Sequence, residues 1–140
     1  MRIFIPVLTA MLLLATSANA ETPNLQPGLW AYTNVTTIEG AVSVPQQTTN
    51  NQECLTQEQL DKGVDMLNIP EQCSLSQVDI SRDQADFAAT CNMAGMTSVY
   101  QGHTDFHGNS LKGSMRSETD TPMGVMLMTM AFTAERVGDC

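Results

Sequence analysis

The sequence predicts a mainly β protein, an antiparallel meander that forms a curved sheet or partial barrel with one short helix and two disulfides. Three observations lead to this fold class. In the last strand-like segment, apolar side chains recur at every second position, so that Met126, Met128, Met130 and Phe132 share one face. A Gly-Asn pair typical of two-residue hairpin turns joins two earlier alternating segments. The chain also has four cysteines, an even number.

The first 20 residues have the organisation of a secretory signal peptide and are excluded from the fold. Arg2 gives a positive start, residues 3–15 are almost entirely apolar, and Ala18 and Ala20 mark a small-residue cleavage site. The apolar run is shorter than the ~20 residues of a membrane-spanning helix, and no later stretch approaches that length. We therefore expect one small β-rich domain over residues 21–140, located in the periplasm and without a membrane span.

Charge and cysteine spacing exclude two kinds of partner. The formal net charge is -9, and removal of Arg2 with the leader makes it -10, so nucleic acid is excluded because it requires clustered Lys and Arg. The cysteines at 54, 73, 91 and 140 contain no close pair of the kind that zinc sites use. Export to an oxidising compartment favours two disulfides instead, and no cofactor or metal is expected.

The N-terminal part of the domain predicts two strands. Residues 29–38 are rich in aromatic and β-branched side chains, with Trp30 and Tyr32 on one face and Trp30 as a core anchor. Residues 42–53 are mostly polar and carry Pro45 near their start, which is typical of an edge strand.

One helix is expected after the edge strand. Thr56 and Gln59 form a capping-box pattern, and apolar residues at positions 60, 64 and 67 recur behind it at helical spacing. The predicted helix spans residues 57–67 and ends before Asn68 and Pro70.

The next segment predicts a hairpin of two strands, residues 75–80 and 85–90. A turn centred on Arg82 places Cys73 opposite Cys91. The same register pairs Val78 with Asp86, which is poor hydrophobic matching, so a bulge or a one-residue shift is expected.

The Gly108–Asn109 turn predicts a second hairpin, and here the sequence determines the strand register. Placing His107 opposite Ser110 fixes every pair that follows. The resulting pairs are Phe106 with Leu111, Asp105 with Lys112, Gly102 with Met115, Gln101 with Arg116 and Tyr100 with Ser117.

Residues 119–124 predict a longer turn into the last strand, with Glu118 opposite Val125. This register pairs Met115 with Met128, Gly113 with Met130 and Leu111 with Phe132. Both registers place the same side chains on one inner face, which we predict to be the apolar ligand face: Tyr100, Phe106, Leu111, Met115, Met126, Met128, Met130 and Phe132.

Three constellations are candidates for chemistry. The alternating methionines suggest copper(I), which soft thioethers select, but their pattern favours packing in an apolar interior. His103 and His107 would lie ~13 Å apart on a strand, too far to share an ion. Ser114, opposite His103, together with Asp105 imitates a hydrolase triad, but no strained turn surrounds the serine.

Four cysteines allow three connectivities. We predict Cys73 with Cys91, because they are near opposition in one hairpin, and therefore Cys54 with Cys140. The second bridge would tie the chain terminus to the edge strand, which counters terminal fraying.

Several short segments together resemble the bacterial exported family called domain of unknown function 3617. They are residues 27–30 (Pro-Gly-Leu-Trp), 45–48 (Pro-Gln-Gln-Thr), 54–56 (Cys-Leu-Thr), Cys73, Cys91 and 136–140 (Arg-Val-Gly-Asp-Cys). The chain departs from the family pattern at Ala31, where an acidic residue is usual, and at Glu135, where a basic one is common. The resemblance implies a secreted, cysteine-paired domain and brings no activity with it.

We therefore expect an exported envelope protein that is not an enzyme and that binds an apolar small molecule or another envelope protein on its methionine-lined face. The alternative is a copper(I)-handling protein. Catalysis by Ser114, His103 and Asp105 is a third hypothesis.

Overall fold

The computed structural model of the protein describes residues 21–63 and 70–140. Seven strands and one helix follow in the order β1 (Gly28–Glu39), β2 (Val44–Leu55), α1 (Gln57–Asp61), β3 (Cys73–Ile80), β4 (Gln84–Met93), β5 (Met96–Phe106), β6 (Ser110–Thr121) and β7 (Gly124–Gly138).

All seven strands belong to one antiparallel sheet with the order β2-β1-β7-β6-β5-β4-β3. Strands β3 to β7 form a meander of successive hairpins, and β1 then pairs with β7 on its far side. Strands β2 and β3 are the two edges, so the sheet is open. The predicted mainly β class, with an antiparallel meander, one short helix and two disulfides, is confirmed, and the polar β2 is an edge strand as expected.

Both predicted hairpins form. Across the Gly108–Asn109 turn, the observed β5–β6 register has every predicted pair, from Phe106 with Leu111 to Tyr100 with Ser117. In the β3–β4 hairpin Cys73 lies opposite Cys91, and the expected irregularity occurs between Leu75 and Gln77. The resulting shift pairs Val78 with Phe87 and Ile80 with Ala85 on one face of the hairpin, and it places Asp79 opposite Asp86 on the other.

The predicted register between β6 and β7 is wrong by two residues. Strand β6 continues to Thr121, which lies opposite Gly124, so the turn holds only Pro122 and Met123. The tighter turn is stabilised by the Thr121 hydroxyl, which donates to the Gly124 carbonyl over 2.6 Å. Because the slip is an even number of residues, the same side chains still share the inner face.

The correct register pairs Met115 with Met130, Gly113 with Phe132 and Leu111 with Ala134. A Cβ atom at Gly113 would overlap the Phe132 ring, and one at Gly102 would overlap the ring of Phe87, its partner on β4. Each glycine therefore makes room for an aromatic ring lying over the neighbouring strand.

Helix α1 begins as predicted but ends earlier. Thr56 and Gln59 form the capping box, with the Gln59 amide donating to the Thr56 hydroxyl over 3.2 Å and the Thr56 amide donating to the Gln59 side chain over 2.8 Å. The helix ends at Asp61, and Gly63 follows with a φ of 55° in the left-handed region. The predicted apolar positions 64 and 67 lie outside the described residues.

The core lies at one end of the sheet, where β1, β7, β6 and β5 meet the helix. Its buried members are Leu25, Trp30, Leu60, Phe106, Leu111 and Ala134. Disulfides join Cys54 to Cys140 and Cys73 to Cys91, the pairs that the sequence predicts. The first bridge ties the end of the chain to the edge strand beside this core, and the second joins β3 to β4.

Candidate functional site

One face of the sheet, here named the inner face, carries the apolar side chains of the central strands. On each strand it is formed by every second residue, because successive side chains point to opposite faces. Two successive rows across β7, β6 and β5 are Ala134, Leu111 and Phe106, and then Phe132, Gly113 and Thr104.

One end of the inner face is covered by α1 and by the segment before β1. Leu60 from the helix and Leu25 from the segment are 1% and 7% exposed, and both pack in the cluster around the fully buried Trp30. The Trp30 indole N–H donates to the Gln26 carbonyl over 2.9 Å. Residue 25 also forms a β-bridge to Gly108, so the segment is held against the hairpin turn.

A cavity of about 300 Å³ lies between the sheet and this cover. Its volume is at the lower end of the range for small-molecule pockets. Most lining residues are aliphatic or aromatic, and they come from every strand of the sheet as well as from α1 and the N-terminal segment. They are Pro23, Leu25, Tyr32, Glu53, Cys54, Leu55, Gln59, Val78, Ile80, Ala85, Asp86, Phe87, Thr104, Phe106, Leu111 and Phe132.

The eight residues predicted for the apolar ligand face separate into three groups. The cavity is lined by Phe106, Leu111 and Phe132. Met115 and Met130 adjoin a separate groove, whose other lining residues lie mostly on the opposite face of the sheet. The residues that line neither space are Tyr100, Met126 and Met128.

The methionines of the inner face are not part of the buried core, although their pattern favoured packing in an apolar interior. Met126 is 39% exposed, and Met115, Met128 and Met130 are half-buried. They occupy the end of the inner face away from Leu60, so neither α1 nor the N-terminal segment covers them.

Sequence reasoning missed Tyr32, Val78, Ile80 and Phe87 as members of the site. The bulge in β3 is the cause for Val78 and Ile80, because it places them opposite Phe87 and Ala85 and so turns them toward the inner face. The sequence signal for this bulge was the poor hydrophobic matching between the two strands in the register without it. Phe87 lies on that face opposite Gly102 of β5, in a pairing that the sequence did not reveal. Tyr32 was placed on the same face as Trp30, but nothing in the sequence indicated that β1 pairs with β7.

The charged side chains that line the cavity are acidic. Burial raises the pKa of the Tyr32 hydroxyl, and the nearby Glu53 carboxylate raises it further. Tyr32 therefore stays protonated at neutral pH and can donate a hydrogen bond into the cavity. Of the described residues that line the cavity, none is Lys, Arg or His.

The opposite face of the sheet, here named the outer face, is polar and forms a broader groove of about 570 Å³. Its lining includes Gln46, Gln77, Gln101, His103, Ser114, Arg116 and Thr129. At its floor His103 lies between two carboxylates: Nδ1 is 2.6 Å from an Asp86 oxygen, and Nε2 is 3.2 Å from an Asp105 oxygen.

The two carboxylates determine the state of His103. An ionised carboxylate only accepts hydrogen bonds, so both contacts can be hydrogen bonds only when both ring nitrogens carry protons. The hydrogen bond to Asp86 is the largest influence on the pKa of His103 and raises it. Partial burial lowers this pKa, and the hydrogen bond to Asp105 raises it further.

This arrangement bears on the hydrolase-triad hypothesis. Ser114 lies opposite His103 in the observed register, as expected. Yet both nitrogens of His103 are engaged by Asp86 and Asp105, which leaves neither to accept a proton from the serine. The carboxylate of Asp105 bonds to His103 and not to Lys112, its neighbour across the hairpin.

Three further observations concern metal binding and membrane insertion. Within residues 21–63 and 70–140, no group of three or more His, Cys, Asp or Glu side chains is placed to hold a metal ion. Met115 lies directly across from Met130, however, which puts their Cβ atoms ~4.5–5.5 Å apart, with Met128 next along the same face. In the same part of the chain, no helix is long and apolar enough to cross a membrane.

Comparison with known proteins gives one result. The family described as "Protein of unknown function (DUF3617)" matches residues 25–140, which include all seven strands and all four cysteines. Neither a curated protein nor a solved structure matches the chain.

Proposed function

The chain belongs to the DUF3617 family, and we propose that it is an exported, non-catalytic domain that binds an apolar small molecule in the inner-face cavity. The observation that carries this proposal is the cavity of about 300 Å³ with its aliphatic and aromatic lining. Pockets of this kind bind ligands chiefly by removing apolar surface from water, with a few polar groups for orientation. Tyr32, Gln59 and Thr104 are the neutral polar groups that line it.

The proposal includes no catalytic step because of the contacts that His103 makes on the outer face. Engagement of both His103 nitrogens by carboxylates argues against a proton-transfer role for this histidine. The domain would act by holding its ligand.

Binding is tested by titrating the purified domain with the neutral apolar dye N-phenyl-1-naphthylamine and following its fluorescence. Saturable binding with one site is expected. Ala85→Leu places a larger side chain in the cavity lining and should weaken binding at least ten-fold. Ala131→Leu makes the same change on the exposed outer face and should leave binding unchanged. Equal binding by the two variants, or no saturable binding by the wild type, would contradict the proposal.

Export is tested separately by the intact mass of the protein recovered from the periplasm. Because the leader has a small-residue cleavage site after Ala20, the mature chain should begin at Glu21 and be four hydrogens lighter than the fully reduced form. Retention of the leader in the recovered protein would refute this part of the proposal.

A second candidate function is copper(I) binding, favoured by the observed pairing of Met115 with Met130 beside Met128. Competition with a coloured copper(I) chelator measures it. If the site exists, Met130→Leu should keep the fold, because the volume is nearly conserved, and should abolish metal transfer to the protein. No transfer to the wild type would remove this candidate.

A further inference from the structure

The inner-face cavity concentrates the aromatic residues of the chain. Four of the seven aromatic residues line it: Tyr32, Phe87, Phe106 and Phe132. They come from β1, β4, β5 and β7, so they approach the cavity from four different strands of the sheet. Aromatic faces carry partial negative charge and attract organic cations, and cages of several rings are the usual means of recognising quaternary ammonium groups.

The formal charge at the cavity has the same sign as the aromatic faces. The ionisable carboxylates of its lining are Glu53 and Asp86. Asp86 is already engaged by His103 on the outer face, whereas Glu53 has no ion pair within the described residues. Glu53 also acts on the Tyr32 hydroxyl, since its charge raises the pKa of that group, so its field reaches into the cavity.

From this geometry we propose that the cavity selects organic cations that carry an apolar group, such as alkylammonium or quaternary ammonium compounds, over neutral and anionic ligands of equal length. The inference rests on the proposed function, because it concerns the ligand of the same cavity. The apolar group would pack against Leu111 and Ile80, and the ammonium group would lie between the aromatic rings and Glu53.

A cation gains at this site from two sources that a neutral ligand lacks. It interacts with the ring faces, and it interacts with the unpaired carboxylate of Glu53 at the solvent-exposed edge of the cavity. An anion of the same length would be repelled by the ring faces and by the carboxylate. The formal net charge of the protein, -9, adds to this repulsion. A fatty-acid carboxylate is therefore the ligand that the cavity suits least.

Three probes of one chain length separate the effect of charge from that of apolar contact. Octylammonium, octan-1-ol and octanoate are titrated into the protein at pH 7 by isothermal calorimetry. We expect octylammonium to bind about ten-fold tighter than octan-1-ol, and octanoate to bind weakest. Raising the salt concentration should reduce the preference for the cation, because the Glu53 side chain is exposed to solvent.

Three variants test whether the preference for the cation comes from Glu53, from the net charge of the protein or from the aromatic rings. Glu53→Gln should lower the ratio of octylammonium to octan-1-ol affinity at least three-fold. Glu135→Gln removes the same charge from the exposed outer side of β7 and should leave the ratio unchanged. Phe132→Leu keeps an apolar side chain but removes one ring, so it should weaken octylammonium binding while octan-1-ol binding stays within about three-fold.

The outcomes distinguish this inference from the proposed function. If octan-1-ol binds but octylammonium binds no better, the inference is wrong and the apolar cavity site stands. If none of the three probes binds, both are wrong. If Glu53→Gln and Glu135→Gln lower the ratio equally, the preference comes from the net charge of the protein, and the cavity does not select cations.

Discussion

Replacing Gly102 with alanine should destabilise the sheet because a Cβ at this position would overlap the ring of Phe87, which lies directly across from it on β4. To remove the overlap, the ring must move or the two strands must separate, and overpacking of this kind costs ~1–3 kcal/mol. The loss of glycine freedom in the unfolded chain offsets ~0.4–1 kcal/mol of this. We expect the free energy of unfolding to fall by about 1–2 kcal/mol, which corresponds to about 4–8 °C in Tm for a domain of this size.

Gly138→Ala is the matched control, because Gly138 is also a strand glycine and a Cβ there would meet nothing within 4 Å. It should be neutral or slightly stabilising. Urea unfolding followed by the fluorescence of Trp30 gives both values. Adding Phe87→Leu to Gly102→Ala should recover part of the loss, with a coupling of at least ~0.5 kcal/mol in the double-mutant cycle. If Gly102→Ala proves as stable as Gly138→Ala, the ring does not lie over the glycine and the argument fails.

Two further predictions concern the disulfides and His103. Cys54→Ser opens a loop with a separation of 86 residues and should cost about 4.6 kcal/mol in the chain-entropy model, against about 3.2 kcal/mol for Cys73→Ser, which opens a separation of 18. Urea unfolding of the two variants, which both keep the buried Cys91 in place, compares them, and a larger loss for Cys73→Ser would contradict the model. The hydrogen bond to Asp86, with a smaller one to Asp105, raises the folded pKa of His103 above 6.5, so its contribution to stability is full below that pH and is lost as pH rises through the folded pKa. The free energy of unfolding should therefore fall more steeply from pH 5 to pH 9 in the wild type than in His103→Gln, and parallel curves would refute this account.

The parts of the fold that were predictable from sequence are those fixed by local chemistry. The Gly108–Asn109 turn fixes all the pairs of β5 and β6, because a two-residue turn leaves no freedom in register. The β3–β4 bulge was predictable because the unbulged register puts Asp86 across from Val78, an apolar residue on the side of the core. Thr56 likewise identifies the start of α1, since its hydroxyl satisfies a free amide of the first turn.

The parts that were not predictable depend on contacts between distant segments. The β6–β7 turn contains Pro122, which is consistent with either a long loop or a tight turn, and the choice is made by the fit of Phe132 over Gly113. The position of the N-terminal segment depends on a bridge between Leu25 and Gly108, which no local pattern indicates. The cavity was missed for the same reason, because it exists only where this segment and α1 meet the sheet.

The unequal cover of the inner face follows from the lengths of the elements. The five residues of α1 span ~7.5 Å, whereas the 15 residues of β7 span ~50 Å, so the helix can cover only one end of the strand. Side chains near Leu60 consequently enclose a cavity, and Met126, four positions along β7 from Met130, stays exposed. The aromatic end suits a small ligand that fits inside the fold. A ligand at the methionine end would lie against its surface, and because methionine side chains adapt their shape to their neighbours, such a surface would accommodate partners of varied form.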